Sequence, residues 1–547
     1  MQKSRYAPYY LFLICIVAVN FAGIRTGFFS DDPALYASIA KQFLYQHSFF
    51  ELYSYGEHWL DKPHFPFWMA MFSFRIFGIS VWAYKLPALL FFVMSLFYTY
   101  FFTKKYYGRE AGFTAVLITG SALHVLMSNT DVRAEPYLMG LIIGTIYHIS
   151  EMNGRFRWYH LVLAAFYTAC AIMTKGLFVM VAIYGALFGQ LFFQKRLREL
   201  LRWKWLVLFL LTIMFITPEL YALYTQFDLH PERVVFYRQN VSGIRFFLWD
   251  SQFGRFINNG PIKRKGGSIF FFVHTLSWAF APWCMLFFYV VYSTIKDMVR
   301  GIGMKEYYSF SGSILLLILF SLSGFQLPFY TNILFPLFAV FMSRIIYERE
   351  GFSRPARLYY TITQLIYIAG FTIVVLALFF LLSPDSFTWM LISILIVAAL
   401  CIVVFLWVKQ ASKRLFFLSC VAMIFVQFFL VGYLYPEMVR YKGEIRAAEY
   451  VNEHIPADTP VYIFRSENNA FQFYCNRPVA FAKADTRLKK NLIYFADDFD
   501  VDALNKQQVP FTVIGAFADY GRETINLKFL NRKTRDQALT SVYLIRL

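Results

Sequence analysis

Two adjacent carboxylates lie in a polar, aromatic-rich stretch directly after the first apolar segment of the chain. Asp31 and Asp32 occur in SDDPALY, and Asp61 and Lys62 follow in LDKPHF. A carboxylate near a nucleophile can act as a general base, and a neighbouring cation can stabilise a departing phosphate. Asp before Pro33 also begins many helices, so capping is an alternative role for the carboxylate pair. The two roles are compatible, because a helix N-terminus favours an ionised carboxylate.

Further charges occur at the ends of apolar segments. Asp131, Arg133 and Glu135 lie in SNTDVRAEPYLMG, and Lys175 lies in MTKGL. A charge at the centre of a membrane span costs about 2.5 kcal/mol or more and commonly marks a functional site. If the helix is continuous here, Asp131 and Glu135 lie one turn apart. The alternatives are an ion-paired helix end and a snorkelling lysine.

The composition excludes a soluble protein of several domains. Of the 547 residues, 59% are hydrophobic and 21% are aromatic, and the mean hydropathy is +0.49. Apolar runs of about 18–25 residues can each cross a bilayer core of about 30 Å. They predict an all-α polytopic membrane protein with about thirteen transmembrane helices. The runs lie near residues 8–24, 82–102, 111–129, 133–151, 159–175, 177–194, 205–224, 269–293, 308–324, 329–346, 359–382, 388–408 and 414–434.

The distribution of positive charge predicts the orientation. Short loops rich in Lys and Arg, such as those at Lys104, Lys195 and Lys409, fall on one side of this arrangement. By the positive-inside rule this side is the cytoplasm, so the N-terminus is cytoplasmic and an odd number of spans leaves the C-terminus outside. Because the basic residues serve these loops, the net charge of +19 does not indicate nucleic-acid binding.

Three larger pieces then lie on the outer face: residues 25–80, residues 225–267 and the tail. We predict a transmembrane domain over 1–435 and a small extracytoplasmic α/β domain over 436–547. Within the tail, Ile445–His454 predicts a helix, and PVYIFRS, PVAFA and PFTVIGAF predict short strands.

The 225–267 segment departs from the charge rule. It contains seven basic residues against three acids, on the side that should be poor in positive charge. It predicts a phosphate-binding wall, since Arg grips phosphate bidentately and Lys acts as a point charge. Contact with anionic headgroups, or a loop that is free to vary, explains the charge equally well. The basic residues are Arg233, Arg238, Arg245, Arg255, Lys263, Arg264 and Lys265.

The unusual charges therefore gather on one face of the membrane. Carboxylates together with cations suit group transfer from a lipid-linked phosphate, and Asp131 and Arg133 are assigned to substrate binding. The one cofactor considered is a divalent cation held by carboxylate oxygens. His47, His58 and His64 have no zinc spacing and are expected at a surface or interface.

The ordered motifs resemble the type C membrane glycosyltransferases. The resemblance is to the bacterial branch that contains the lipid A aminoarabinose transferases and relatives of the protein O-mannosyltransferases (glycosyltransferase families 39 and 83). It covers about the first 340 residues, on the motifs SDDPALYASIAKQF, LDKPHFPFWMAMFSFRIFG, DVRAEPYLMG, MTKGL, QFGRF, APW and LPFYTNILFP. It implies a multi-pass protein of the bacterial inner membrane with a periplasmic C-terminus, a catalytic first outer loop and a polyprenyl-phosphate sugar as donor.

The resemblance also implies roles for the acidic residues. Asp31 matches the aspartate regarded as the catalytic base or the group that orients the acceptor. Asp32 occupies a position where the family commonly has Glu, and Glu135 matches a second acidic position. Asp61 matches the acid of a Glu-Lys-Pro motif and is the candidate metal ligand. Because Asp32 and Asp61 are each one methylene shorter than Glu, the metal geometry of the family does not transfer directly.

The basic and aromatic matches concern the donor. Lys62 and Arg255 are expected at the donor phosphate, and Lys175 belongs to a lysine-glycine pair implied in donor binding. Tyr330 in LPFYTNILFP would line the donor pocket or anchor the span at the interface. Gln326 stands where relatives often have lysine, so no donor contact is expected from it.

The leading hypothesis is a glycosyltransferase that moves a sugar from a polyprenyl-phosphate carrier to an acceptor on the outer face. Lipid A, another glycolipid or a protein side chain would accept it by in-line displacement. The alternative is a transporter or flippase of a lipid-linked saccharide, although such proteins place charge near the bilayer midplane. A scaffold would leave the clustered carboxylates without a role.

Overall fold

The structure is a computed structural model that describes residues 6–46, 48–263, 267–348, 354–465, 467–482, 492–521 and 525–547. Its first part is helical. The elements up to the basic segment are α1 (Ala7–Ala22), α2 (Asp31–Gln46), the hairpin strands β1 (Tyr53–Ser54) and β2 (Glu57–His58), α3 (Phe65–Phe77), α4 (Val81–Tyr107), α5 (Arg109–Ser121), α6 (Leu123–Thr130), α7 (Glu135–Gly154), α8 (Trp158–Lys175), α9 (Val179–Phe193) and α10 (Trp203–Leu223).

A π-helical turn, Tyr224–Asp228, extends α10 into the basic segment, where a second π-helical stretch covers Phe246–Gly254. The α-helices from residue 243 to residue 440 are α11 (Gly243–Arg245), which directly precedes the second π-helical stretch, α12 (Phe271–Ala279), α13 (Cys284–Val299), α14 (Tyr308–Leu322), α15 (Phe335–Glu348), α16 (Arg354–Leu382), α17 (Thr388–Trp407), α18 (Ala411–Phe429) and α19 (Tyr435–Arg440). A 3-10 helix, Pro328–Leu334, precedes α15.

Length and hydropathy support fewer spans than predicted. Among the described residues, five helical stretches are long and apolar enough to cross a membrane, and six if the pair α5 and α6, bent by 58°, counts as one span. Several predicted spans are shorter or divided: the run 269–293 is split into α12 and α13, and α1, α9 and α14 are short apolar helices. The predicted number of about thirteen is therefore not confirmed.

The segment around Asp131 is not a continuous helix. α6 ends at Thr130 and α7 begins at Glu135, while Asp131 has non-helical backbone angles of φ −112° and ψ 76°. Pro136 in the first turn of α7 has no N–H to offer the Val132 carbonyl, which favours a helix start at this point. The condition under which Asp131 and Glu135 would lie one turn apart, a continuous helix, is therefore not met.

Close helix packing sets the positions of the helix ends that carry the charged residues. α4 and α7 approach so tightly that a Cβ at Gly140 would lie 2.4 Å from the Phe91 carbonyl oxygen. Small residues at such contacts let helix backbones meet where apolar burial alone gives little drive. α7 and α8 also pack together, which brings the N-terminus of one beside the C-terminus of the other.

The predicted helix at Asp31 is confirmed as α2, with both carboxylates in its first turn. This helix packs against the C-terminal part of the chain rather than standing alone. The buried Lys41 ammonium donates to the Phe473 carbonyl at 2.9 Å and also contacts the Cys475 carbonyl, and the Ser38 hydroxyl donates to the Asn469 carbonyl at 3.0 Å. The first outer loop and the C-terminal part are therefore joined by buried polar contacts.

The tail contains a mixed five-stranded sheet in the order β4-β3-β5-β7-β6. β4, β3 and β5 are parallel, whereas β7 pairs antiparallel with β5 and β6. The predicted helix and three predicted strands are present, and the sequence analysis missed β5 and β7. The elements are α20 (Gly443–His454), β3 (Val461–Ile463), α21 (Asn469–Tyr474), β4 (Val479–Phe481), β5 (Ile493–Asp497), α22 (Asp498–Lys506), β6 (Thr512–Asp519), α23 (Leu527–Leu530) and β7 (Thr540–Arg546). The division at residues 435 and 436 stays a prediction.

Candidate functional site

Asp61, Lys62 and Arg255 form one charged cluster. The Lys62 ammonium donates to Asp61 Oδ2 at 2.6 Å, and the Arg255 guanidinium contacts Asp61 Oδ1. Burial alone would raise the pKa of Asp61, but the Lys62 and Arg255 charges outweigh it and hold the pKa of this carboxyl below its usual range. One carboxylate against two cations leaves a surplus positive charge. The cluster therefore suits an anionic ligand.

Glu135 and Lys175 form a second ion pair where α7 begins and α8 ends. The Glu135 side chain is fully buried, and its Oε1 contacts the Lys175 ammonium. Its other oxygen, Oε2, is buried and has no hydrogen-bond partner among the residues described. The Lys175 Nζ atom lies 4.3 Å from the centre of the Tyr330 ring and 5.2 Å from that of Phe329. Tyr330 therefore borders the lysine that the sequence analysis assigned to the donor.

Gly176 lets the basic segment approach Lys175. Its φ is +108°, a conformation that favours glycine, and a Cβ there would lie 2.1 Å from Gln252 Nε2. The π-helical stretch that contains Gln252 leads directly into Arg255. A narrow pocket of about 10 Å³, room for about one water molecule, lies between these elements. Its charged lining residues are Asp61, Lys62, Lys175, Glu219 and Arg255.

Asp131, Arg133 and Asp32 form a third group, with Ser30 at its centre. The Arg133 guanidinium lies 3.1 Å from Asp32 Oδ2 and donates to the Ser30 hydroxyl oxygen at 2.9 Å. The Ser30 hydroxyl in turn donates to Asp131 Oδ2. The Arg133 guanidinium carbon also lies 4.5 Å from the centre of the Phe329 ring. The sequence analysis did not identify Ser30, although Ser30 directly precedes Asp31 and Asp32.

Asp31 is held by the C-terminal part of the chain. The Asn469 side-chain amide lies 2.9 Å from each Asp31 carboxylate oxygen, and the Tyr55 hydroxyl donates to the amide oxygen at 3.1 Å. Asn469 is almost fully buried, whereas Asp31 is exposed. No local pattern could have found Asn469, because its role depends on how the tail packs on the first outer loop.

His64 and Glu219 form a buried pair beneath the Asp61–Lys62 turn. Of the two positions expected for His64, a surface or an interface, the surface is excluded, since the His64 and Glu219 side chains have no exposed surface. Glu219 Oε1 lies 3.0 Å from His64 Nδ1, Oε2 accepts from the His64 backbone N–H at 3.0 Å, and His64 Nε2 lies 3.1 Å from the Phe50 carbonyl oxygen. The sequence feature that could have indicated this buried pair is a Glu within the otherwise apolar α10.

The other two histidines of this stretch are not part of the pair. His58 lies 3.2 Å from the Gln226 side chain, and His47 lies outside the described residues.

The described cations of the basic segment do not form one cluster. Of its described cations, Arg255 joins the Asp61 cluster, while Arg233 pairs with Glu51 at 2.9 Å and Arg238 and Lys263 are exposed. Arg245 lies 3.8 Å from the Asp250 carboxylate. Arg264 and Lys265 lie outside the described residues.

Metal ligation was predicted for Asp61. Within the described ranges, no group of three or more His, Cys, Asp or Glu side chains could hold a metal ion. The Asp61 oxygens instead contact Lys62 and Arg255. These residues therefore do not fit a metal centre.

Part of the sequence and the whole fold are similar to known proteins. Residues 61–221 match the family model described as dolichyl-phosphate-mannose-protein mannosyltransferase. The crystal structure of ArnT from Cupriavidus metallidurans bound to undecaprenyl phosphate aligns over 98% of both chains, with a TM-score of 0.74 and 15% identity. The resemblance to the type C membrane glycosyltransferases is confirmed. The apo state of ArnT aligns over 98% of this chain and 97% of that one, with a TM-score of 0.72 and 14% identity.

The chain is a mostly helical, multi-pass membrane protein with the ArnT fold and a small C-terminal mixed sheet. A curated relative from Aquifex aeolicus (strain VF5), described as an uncharacterized protein, is 22% identical over 313 residues. That alignment spans 56% of this chain and 58% of the relative.

Proposed function

We propose that this chain transfers a sugar from a polyprenyl-phosphate-linked donor to an acceptor at the outer face of the bacterial inner membrane. The observation that carries the proposal is the Asp61–Lys62–Arg255 cluster with its surplus positive charge. Lys175 lies on the wall of the same pocket. The N-terminus would be cytoplasmic and the C-terminus periplasmic, as the positive-inside rule requires.

The reaction is an in-line displacement at the anomeric carbon. An acceptor oxygen forms a bond to this carbon while the bond to the phosphate oxygen breaks and its electron pair leaves with the phosphate. Lys62, Lys175 and Arg255 offset the negative charge that develops on this leaving group. Arg255 can bind the phosphate bidentately once the ligand replaces Asp61 as its partner. The pocket must widen for this exchange, because its present volume matches one water molecule.

The carboxylates serve the acceptor and the lysine. Asp31, at the N-terminus of α2, accepts the proton of the acceptor or orients it. Asp32, which contacts Arg133, contributes to the same step. Glu135 keeps Lys175 charged and in place. Asp131 and Arg133 contact the acceptor, and Tyr330 lines the donor side next to Lys175.

Transfer in proteoliposomes tests the proposal. The proteoliposomes receive labelled polyprenyl-phosphate sugars obtained from membranes. Mass spectrometry then identifies the covalent product. We expect Lys62→Ala and Arg255→Ala to lower turnover by about 100-fold or more, in the range typical for loss of one charge-stabilising donor. Arg238→Ala, an exposed arginine of the same segment, is the matched control and should stay within about twofold.

Two results would contradict the proposal. Normal turnover in the Lys62→Ala and Arg255→Ala variants would show that the Asp61–Lys62–Arg255 cluster takes no part in the reaction. Movement of labelled lipid between the leaflets without a covalent product would instead indicate a flippase. The charged clusters lie at helix ends, as at Glu135 and Lys175, rather than between repeats at the midplane, and this arrangement favours a transferase.

A further inference from the structure

A cluster of positive charge and exposed aromatic rings lies at the membrane surface opposite the candidate site. α7 runs from Glu135, at that site, to Gly154, and its 20 residues span about 30 Å at about 1.5 Å per residue. This length matches the bilayer core, so the far ends of α7 and α8 lie at the other membrane surface. The start of α10 lies beside them, because the Lys204 ammonium donates to the Met152 carbonyl at 2.8 Å.

The α7–α8 connection and the α9–α10 connection carry far more positive than negative charge. Residues 151–158 and 194–205 contain seven cations against two acids: Arg155, Arg157, Lys195, Arg196, Arg198, Arg202 and Lys204 against Glu151 and Glu199. Orientation of the chain in the membrane accounts for an excess of this kind, but it places no requirement on the side chains between the cations.

Exposed apolar side chains are interleaved with these cations. Leu197–Leu201 is a short 3-10 helix with no buried residue, and its Leu201 is 89% exposed. The Trp158 and Trp203 rings, 60% and 53% exposed, lie 5.4 Å apart, and Phe156 packs against both. Trp is enriched at the boundary between lipid headgroups and acyl chains, where its ring meets apolar chains and its N–H meets polar groups. The surface therefore suits contact with lipid rather than with water.

The two acids of these connections already have partners. Glu199 lies 2.6 Å from the Arg196 guanidinium and 3.4 Å from that of Arg202, and Glu151 lies 3.0 Å from the Lys105 ammonium. The other exposed cations form no ion pair in the part of the chain described, and they are Arg155, Arg157, Lys195 and Arg198. The surplus positive charge is therefore available to an anionic partner.

Two buried contacts hold this surface in one shape. The Trp205 indole N–H donates to the Glu199 carbonyl at 2.8 Å and joins the 3-10 helix to α10. The contact between Lys204 and Met152 joins α10 to the end of α7. Because the cations project from connected elements, binding of a ligand does not have to order a loose loop first.

We infer that this surface binds the headgroups of anionic phospholipids in the leaflet opposite the candidate site. Arg155, Lys195 and Arg198 contact the lipid phosphate, and Trp158 and Trp203 lie at the boundary with the acyl chains. Arg can bind a phosphate bidentately, and each cation near the surface strengthens binding of an anionic lipid by about fivefold. A zwitterionic lipid gains less, because its own ammonium offsets the phosphate. This binding is independent of sugar transfer, so either can fail without the other.

Native mass spectrometry of the chain released from nanodiscs measures the preference. The nanodiscs contain palmitoyl-oleoyl phosphatidylglycerol and palmitoyl-oleoyl phosphatidylcholine in equal amounts. We expect about tenfold more phosphatidylglycerol than phosphatidylcholine among the lipids that wild type retains. In the Lys195→Gln/Arg198→Gln variant the two lipids should be retained within about twofold of each other, because two cations of the surface are lost.

Lys296→Gln/Arg300→Gln is the matched control. It removes two exposed cations from the end of α13, at the same membrane surface. The Tyr308 hydroxyl at the start of α14 places this end there, since it accepts from the Asn153 side chain near the end of α7 at 2.9 Å. We expect the control to keep the wild-type preference within about twofold, because its charges are not part of the cluster.

Fluorescence quenching by brominated lipids locates the bound lipid. Wild type should be quenched more by dibrominated phosphatidylglycerol than by dibrominated phosphatidylcholine in otherwise identical bilayers. This difference should be lost in Trp158→Phe/Trp203→Phe, which keeps aromatic rings but removes the two fluorophores. Trp389→Phe/Trp407→Phe removes two exposed tryptophans of α17 and should retain the difference.

The surface is not an anionic-lipid site if wild type retains the two lipids equally. An equal loss of preference in the control variant would show that these cations act only through the charge of the whole membrane surface. Unchanged quenching in Trp158→Phe/Trp203→Phe would place the bound lipid elsewhere. Failure of the proposed function has a different signature, since sugar transfer would be absent while the lipid preference persists.

Discussion

The Asn469 side-chain amide lies 2.9 Å from both carboxylate oxygens of Asp31, across 438 positions of sequence. Asn469 belongs to α21 of the C-terminal part, and Asp31 begins α2 of the first outer loop. The amide also accepts from the Tyr55 hydroxyl at 3.1 Å, so its orientation is set by a second contact. The C-terminal part therefore positions the carboxylate that we propose as the base.

Asn469→Ala is expected to lower turnover by about 10- to 100-fold, because a displaced catalytic group is costly even at about 1 Å. The dissociation constant for undecaprenyl phosphate should not change, since the donor pocket is separate. Turnover and donor binding are measured on the same preparation. Asn468→Ala is the control, as the Asn468 side chain caps α21 through the Phe471 N–H, whereas the Asn469 side chain bonds Asp31. Equal losses of turnover in both variants would indicate a general loosening of the tail.

Asp61→Asn is expected to lower the thermal stability of the folded protein in a pH-dependent way. The Lys62 and Arg255 charges lower the pKa of Asp61 in the folded state, so its contribution is fully present above the unfolded pKa of about 3.9 and is lost as the pH falls through the folded value. The difference in melting temperature between wild type and variant should therefore be constant from pH 6 to 8 and shrink below about pH 4. Thermal unfolding across this range measures it. A difference that grows on acidification would contradict the ion-pair assignment.

Lys175→Met is expected to destabilise the protein by about 3–5 kcal/mol, because it leaves the buried Glu135 carboxylate without its partner. The double variant Glu135→Gln/Lys175→Met should recover most of this loss, since no unpaired charge remains. Turnover should not recover, because Lys175 is proposed to hold the leaving phosphate. Unfolding and transfer measured in parallel separate the two roles. Recovery of turnover in the double variant would exclude Lys175 from the phosphate site.

Gly176→Ala is expected to cost about 1–3 kcal/mol of stability. Its φ of +108° disfavours a side chain, and the new Cβ would collide with Gln252 Nε2 at 2.1 Å. Undecaprenyl phosphate should also bind more weakly, because the collision displaces the stretch that carries Arg255. Gly154→Ala, where nothing lies within 4 Å, is the matched control. Unchanged donor binding in folded Gly176→Ala would show that Gln252 yields without moving Arg255.

Glu219→Leu is expected to destabilise the protein by about 1–3 kcal/mol for each His64 group left unsatisfied, namely the backbone N–H and the ring. Glu219→Gln keeps an acceptor oxygen and should be milder. Because His64 follows the Lys62–Pro63 turn, donor binding should weaken in the same order as stability. Thermal unfolding and the dissociation constant for undecaprenyl phosphate test the order. A stable Glu219→Leu variant with normal donor binding would refute the positioning role of this pair.

Several features of this protein follow from short stretches of sequence. The apolar runs predicted a membrane protein, because a helix in lipid satisfies its backbone within the segment. Asp31 and Pro33 predicted the start of α2, since capping involves neighbouring residues, and strand patterns in the tail predicted β3, β4 and β6. The ordered motifs also indicated the fold of the type C glycosyltransferases, and the structural similarity to ArnT confirmed this fold.

The partners of the charged side chains were decided by the tertiary structure. Glu135 pairs with Lys175 on another helix, Asp131 accepts from Ser30, and Asn469 reaches Asp31 from the tail. Likewise, His64 is buried because α10 supplies Glu219 from 155 positions away. A carboxylate that is buried on folding needs a partner, but the sequence around the carboxylate does not specify which residue that partner is. That choice depends on which helix ends meet on the outer face, and packing between distant segments determines it.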